Sequence, residues 1–491
     1  MNGLKKIPFF LLLLVLFFCL HGTVENFGFI DAREVAITGL VILAAIAVLF
    51  FILFLFTRNY ASAALTVFFI ALWYLFFGAL HDWIKSRSFL SFLHSYSVLL
   101  PLLIIVTIAW SVWVHRYTAI RGKMFLYLNV LLLIYCMVDV TLLLNRSLAH
   151  KKIFIAPVAF DPGKVRSKPN IYYLLFDEYP GYKGLKDSFA FGNDSLYHFF
   201  QVNGFRMLPT FSNYDYTPFS MSSILNMQYV DSNYDHGLVT QKDIQQRIAE
   251  IKDARAIAIF KKMGYAIENY SIFDIADQSS IAARNSLFPI HTRLLTDKIL
   301  HNRLFRDLGW LLITGRFEIP GFRKKYLYHI DTDNHYAEQM VIESTRRKNN
   351  APKFCYAHFL LPHGPYFRDS LGNLRIFNAP ADMYNMFDKP AFLSNLKYAN
   401  SVISSLVTKI VQTDSTAVII VMSDHGFHNY TTRADYDPLN FDNICALRLP
   451  QKNYIDYKNK WSTVNFFPYL FNCVFGQQMP YLKDSTIWVN E

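Results

Sequence analysis

Apolar residues are spread so unevenly along this chain that they divide it before any motif is considered. Five apolar runs precede residue 145, over 7–20, 35–56, 61–80, 97–114 and 124–144. Four of them hold about 18 residues or more, enough for a helix to cross a hydrocarbon core of roughly 30 Å. The first is shorter and follows Lys5 and Lys6. It suits either a short span or a signal peptide, although no A-x-A cleavage site follows it. Five spans from a cytoplasmic N-terminus, or four after cleavage, lead to the same topology, with the C-terminal part outside. Lys5, Lys6, Arg58, Arg116, Arg121 and Lys123 fall on the expected cytoplasmic side, against Arg33, Lys85 and Arg87 on the other. That bias has the direction of the positive-inside rule. Asp139 is the one acid within the fifth run and is expected near its outer, interfacial end.

The whole-chain mean hydropathy of +0.19 therefore averages two unlike parts. Residues 1–144 are expected as a transmembrane region of about five helices, 145–168 as a linker, and 169–491 as a globular domain. The 48 basic and 37 acidic residues of the chain leave 38 against 32 beyond residue 150. This mild excess is compatible with a domain beside anionic lipid or with an ordinary solvated surface, and no dense Lys/Arg run points to nucleic acid. Cys355, Cys445 and Cys473 are an odd number without C-x-x-C spacing, so neither a disulfide framework nor a thiolate metal site is indicated.

The second part reads as strands alternating with helices. Ile171 to Phe176 is a β-prone apolar run ending in Asp177 and Glu178; "FCYAHFLLPHGPY" follows Lys353; Ala417 to Met422 ends in Ser423, Asp424 and His425. Helical periods lie between them. From Phe392, the residues Leu396, Ala399, Ile403, Leu406 and Ile410 form one apolar face. The pattern predicts an α/β domain with a largely parallel central sheet.

Ligands of such sheets bind outside the carboxyl ends of the strands. Asp177 and Glu178, His358 and His363, and Asp424 and His425 are placed there by sequence. One acid at a strand end is often only a turn residue. Three such ends together suggest carboxylate and imidazole ligands for a divalent cation, zinc or manganese first, with magnesium or calcium as alternatives. In "NYDYTPFSMSSILNM", Thr217 is expected as a helix N-cap with Pro218 at the first helical position. A hydroxyl at a helix N-terminus beside a cation is also placed to attack a tetrahedral phosphorus.

The segments "KPNIYYLLFDE", "NYDYTPFSMSSILNM", "HFLLPHGPY" and "VIIVMSDHG", in that order, resemble the motif series of the alkaline phosphatase superfamily, in particular its sulfatase-like branch. With the apolar N-terminal region, the layout is similar to lipoteichoic acid synthases and phosphoethanolamine transferases, while long stretches such as residues 228–350 stay unassigned. The resemblance implies a sulfatase-like fold with Asp177, Glu178, Asp424 and His425 as metal ligands. It implies Thr217 as nucleophile, since Thr217, Ser220 and Met221 stand where sulfatases carry the first residue, serine and arginine of C/S-x-P-S-R. Threonine cannot become formylglycine, which argues against the usual sulfate-ester chemistry. The resemblance also gives His363 a substrate contact and the protonation of a leaving group, and Ser220 a place in the substrate site. His428 is read as a surface residue or a substrate contact, and His358 as a core histidine or one facing the substrate. "STVNFFPYLFNCVFG" resembles the glycine-capped helix with which such domains close.

The function implied is a membrane-anchored, metal-dependent phosphotransferase. Its donor would be a phospholipid, its acceptor an envelope glycan or lipid, and its location a bacterial inner membrane with the catalytic domain on the extracytoplasmic side. A sulfatase-like hydrolase of phosphate or sulfate esters shares the same motifs. A polytopic protein whose domain only binds or senses a ligand is the reading from another class, and the intact set of Asp177, Thr217, Asp424 and His425 counts against it.

Overall fold

A computed structural model describes residues 5–28, 30–149, 160–230, 239–282, 292–309, 327–348, 350–377, 383, 385, 388–428, 437–457 and 460–489. The chain divides into two compact units, one formed by Met1–Ile155 with Asn285–Leu312, the other by Ala156–Arg284 with Ile313–Glu491. Residues 285–312, expected within the globular domain, thus belong to the helical unit.

In that unit three helices are long and apolar enough to cross a membrane: Ala32–Thr57, Tyr96–Arg116 and Thr118–Leu148. Phe9–Glu25, at 17 residues, is a shorter apolar helix. The expected third span, 61–80, is broken into Tyr60–Leu75 and Phe77–Lys85, bent by 57°, which together make a fourth span if counted as one. Among the described residues three helices, or four with the bent pair counted as one, are long and apolar enough to cross a membrane, and the first expected run forms the shorter helix Phe9–Glu25. The break has a local cause, because the amide of Gly78 donates to the carbonyl of Lys298, 2.7 Å away. A hydrogen bond diverted from the helical ladder is a recognised origin of sharp kinks. Around it Lys298 pairs with Glu25 at 2.7 Å, Arg303 with Asp82, and the Tyr74 hydroxyl lies 2.8 Å from His301 Nδ1. Asp139, expected at an interface, is buried with its Oδ1 3.4 Å from His21 Nδ1. The expected linker is helical through Ala149, residues 150–159 lie outside the described residues, and Pro162–Lys164 forms a single 3-10 turn.

The larger unit is built on a six-stranded sheet. Its strands are β1 (Ile171–Phe176), β2 (Phe205–Met207), β4 (Ala266–Tyr270), β5 (Lys353–Phe359), β6 (Val418–Met422) and β7 (Cys445–Arg448), in the order β2-β7-β6-β1-β5-β4. Strands β4, β5, β1 and β6 run parallel, and β7 is antiparallel to β6 and to β2. Short strands β3 (Thr210–Phe211) and β8 (Trp461–Ser462) pair separately. Both faces are covered, so β1 is buried throughout. Leu175 lies opposite His358 on one side and Met422 on the other. This register sorts side chains by parity. Tyr173, Leu175, Tyr356, Ile420 and Met422 pack with Met221, Ile224 and Leu225 of the helix Thr217–Asn226 and with the helix Phe466–Phe475. Tyr172, Leu174, Phe176, Ala357 and Val421 pack against Leu396, Ala399, Ile403, Leu406 and Ile410 of the helix Lys389–Thr413. The apolar stripe of that helix and the Gly476 cap after Phe475, at φ +62°, are as the sequence suggests. The five cysteines are free and buried.

A Cβ on Gly78 would lie 2.8 Å from Lys298 Cα and 2.7 Å from Arg303 Nε. Helix propensity alone favours alanine over glycine by about 1 kcal/mol. Gly78→Ala is nevertheless expected to lower thermal stability and to expose the chain near Lys298 to trypsin. A stabilised, protease-resistant variant would show that residues 298–303 do not pack on this helix.

Candidate active site and metal centre

The parity of the sheet builds the site. Asp177 and Asp424 lie two residues past Leu175 and Met422 and so continue the face that the helix Thr217–Asn226 covers. His358, paired with Leu175, points to that face from β5. Asp177 keeps its main chain in the ladder, its amide donating to Phe359 O at 2.9 Å. Glu178 then turns into the left-handed region at φ +58°. Its amide donates to Asp424 Oδ1 at 3.3 Å, and the Tyr179 amide donates to Ser423 Oγ at 2.9 Å. Gly426 sits where a Cβ would meet Leu439 O at 2.0 Å and Asp442 O at 2.6 Å, so the turn after His425 admits only glycine.

Asp177, Glu178, Asp424 and His425 are all buried to within 1%. His425 Nε2 stands 3.6 Å from Asp177 Oδ1 and 3.4 Å from Asp424 Oδ2. One ligand atom from each of Asp177, His358 and Asp424 lies within 4.8 Å of the other two. His358 Nε2 is 3.1 Å from Asp177 Oδ2, and its Nδ1 is 3.1 Å from the Tyr356 hydroxyl. His358 is thus fully buried, as the core reading expects, and its ring bridges the Tyr356 hydroxyl and the Asp177 carboxylate. Thr217 begins its helix, with Tyr216 as the N-cap residue and no side-chain cap bond. This corrects the expected N-cap and leaves the hydroxyl facing His425 Nε2 at 3.2 Å.

Ser220, expected to contact substrate, is fully buried and donates to the main-chain carbonyl of Asp424 at 2.6 Å. It fixes the strand end instead. His363 Nε2 lies 3.8 Å from Glu178 Oε2 and is partly exposed. His428 donates its amide to Glu178 Oε1 at 2.7 Å, and its Nε2 meets Asp215 O. Its ring lies 4.5 Å from that of His425. Three positioning residues carried no sequence signal strong enough to single them out. Ser423 donates to His425 O at 2.6 Å, Asn443 donates to Ser423 O at 2.7 Å, and Asp215 accepts from the Val489 amide at 2.8 Å. Ser423, directly after a buried strand and before Asp-His, was the most readable of them.

These carboxylates fit a cation. Among the described residues, Asp177 Oδ1, Glu178 Oε2 and Asp424 Oδ2 are buried oxygens without a hydrogen-bond partner. Buried carboxylate oxygens of that kind are costly unless positive charge meets them. Protonation answers the same need: burial opposes charge on His425, but Asp424, Asp177 and Glu178 outweigh it and push the ring up to about 9. Burial would raise Asp177, yet His363, His358 and His425 hold it well below the usual range. Glu178, dominated by burial, is pushed up to about 7. His428 is driven down to about 3 by burial and by the neighbouring His425. The donor set of carboxylate oxygen and imidazole nitrogen suits a divalent metal ion.

Residues 310–465 match the family model described as Sulfatase. The match takes in β5, β6 and β7 with His358, Asp424 and His425, and leaves Asp177 and Thr217 outside it. No curated protein matches the chain. Among solved structures, the C-terminal periplasmic domain of EcEptC from Escherichia coli in complex with Zn is 11% identical, over 68% of this chain and 93% of that one, with a TM-score of 0.42. The phosphonate monoester hydrolase SpPMH from Silicibacter pomeroyi is 14% identical, over 65% and 75%, with a TM-score of 0.41. That of Agrobacterium radiobacter is 13% identical, over 65% and 76%, with a TM-score of 0.38.

Asp424→Asn is expected to weaken zinc or manganese binding by more than about 100-fold, beyond the 10–100-fold typical of outer partners. Ser220→Ala, which frees only the Asp424 carbonyl, should weaken it by about 10-fold. Metal analysis after equilibrium dialysis decides this, and undiminished binding by Asp424→Asn would remove Asp424 from the ligand set.

Proposed function

We propose that this protein is a membrane-anchored phosphotransferase. It moves the headgroup phosphate of a phospholipid, as phosphoethanolamine or phosphoglycerol, through a phosphothreonine at Thr217 to an envelope glycan or lipid. On this reading the helical unit lies in a bacterial inner membrane and the larger unit faces the extracytoplasmic side. The observation that carries the proposal is the Thr217 hydroxyl, uncapped at a helix start and 3.2 Å from His425 Nε2. A helix N-terminus favours the phosphoryl anion that such a nucleophile would meet.

Asp177, Asp424 and His425, with Glu178 and His358 beside them, would hold a divalent cation, zinc or manganese by donor type, which would lower the pKa of the Thr217 hydroxyl and offset charge on phosphoryl oxygens. Thr217 Oγ1, as alkoxide, forms a bond to phosphorus while the bond from phosphorus to the diacylglycerol oxygen breaks. That oxygen needs a proton, and His363 is the candidate donor. Burial works against charge on His363, but Asp177 and Glu178 outweigh it and hold the ring above its usual range. In the second half an acceptor hydroxyl attacks phosphorus, His363 takes its proton, and the bond to Thr217 breaks. Water in place of the acceptor would make the same site a hydrolase.

Thr217→Ala is expected to lower turnover of a phospholipid donor by about 10³-fold or more, on the scale of other nucleophile deletions. Metal content and folding should be unchanged, and the peptide holding Thr217 should carry a phosphoethanolamine or phosphoglycerol mass in the unsubstituted protein and none in the variant. Turnover retained by Thr217→Ala would end the assignment.

A further inference from the structure

Large apolar side chains are exposed at only six described positions of the larger unit: Val202, Leu371, Leu374, Ile376, Ile455 and Leu482. Three of the six fall between 371 and 376, where Leu371 is 85% and Ile376 82% exposed. Single exposed aliphatics are ordinary, whereas a local concentration of them marks a contact surface.

The segment that carries them is a built turn. Arg368 and Leu374 form an antiparallel bridge, and the Arg375 amide donates to Phe367 O at 2.8 Å. Asp369 Oδ1 accepts from the amides of Leu371 and Asn373, at 2.9 and 2.8 Å. Gly372 closes the tip at φ +84°, where a side chain would be strained and its Cβ would lie 3.2 Å from Tyr398 Cε2. The two cations at its base are paired, Arg368 with Asp331 and Arg375 with Asp388, and the one carboxylate of the turn, Asp369, is turned inward onto its amides and the Asn373 side chain. The turn is also tied to the candidate site. Asn395, fully buried, donates to Pro362 O at 3.1 Å and accepts from the Arg368 amide at 3.3 Å, bracketing His363.

We propose that the turn 368–376 docks on a lipid bilayer, with Leu371 and Ile376 entering its interfacial region. The chain itself supplies that partner. It carries helices able to cross a membrane, and only residues 150–159 separate the helix Thr118–Ala149 from Phe160. Ten residues span at most about 35 Å even when fully extended. The paired arginines favour lipid over an acidic protein, because they leave no free positive charge for such a partner to meet. The inference holds whichever group the site transfers.

The test uses full-length protein in phosphatidylethanolamine–phosphatidylglycerol vesicles. Nitroxide labels are placed at Leu371→Cys, Ile376→Cys and, as the reference, Val202→Cys; the native cysteines are buried. At 371 and 376 the ratio of oxygen to nickel-chelate accessibility should rise above that at 202. A ratio no higher than at 202 overturns the proposal. So does shielding from both reagents, the signature of cover by protein, whether a second copy or another part of this chain.

Discussion

The site rests on an electrostatic demand that the sheet register creates. Parallel pairing of β1, β5 and β6 brings Asp177, His358 and Asp424 to one face, and Glu178 joins them by turning through a positive φ. Three of the resulting carboxylate oxygens are buried without a hydrogen-bond partner among the described residues. Apolar packing below this layer cannot relieve them, since Leu175, Met422 and Tyr356 have no charge to offer. Positive charge must therefore come from imidazolium or from a bound cation. The raised His425 and lowered Asp177 are the protein's side of that balance, and a divalent ion between Asp177, His358 and Asp424 would meet the carboxylates of both aspartates.

The same demand explains how much main-chain fixing surrounds the carboxylates. Ser220 holds the Asp424 carbonyl, Ser423 links the Tyr179 amide to the His425 carbonyl, and Asn443 secures Ser423 from the segment just before β7. These hydroxyls and amides are engaged with main-chain groups. They hold carboxylates that would otherwise move apart or take up protons, which is how second-layer partners tune a metal centre. Gly426 belongs to this set through absence of a side chain, because the carbonyls of Leu439 and Asp442 occupy the space a Cβ would need.

Much of this was legible in the sequence, for physical reasons. The buried strands were visible because both faces are covered, which makes them continuous apolar runs with an abrupt polar end. Asp177, Asp424 and His425 stood out at those ends. His358 was harder, because its side of β5 depends on the register with Leu175, and register is a property of pairing rather than of one strand. The Thr217 cap was misplaced by one residue, as helix ends commonly are. Ser220 gave a hydroxyl at the right spacing, but spacing does not say whether a hydroxyl turns to substrate or to a carbonyl. The return of residues 285–312 to the helical unit was invisible, since nothing local in that stretch records a partner such as Gly78 more than 200 positions away.

That return bears on what an anchor of this kind contributes. The chain crosses between the two units three times, at 155–156, 284–285 and 312–313. An enzyme whose substrates are amphiphiles in a membrane gains from any covalent link to that membrane, because tethering replaces a three-dimensional search by a high effective concentration. Tight binding of the donor is then unnecessary, and weak ground-state binding is what leaves interaction free energy for the transition state. The absence of a dense basic run in the larger unit is consistent with this division of labour. On the proposed reading a lipid donor would be brought near by connectivity, which would leave the buried charge of the domain to be arranged around the reacting group.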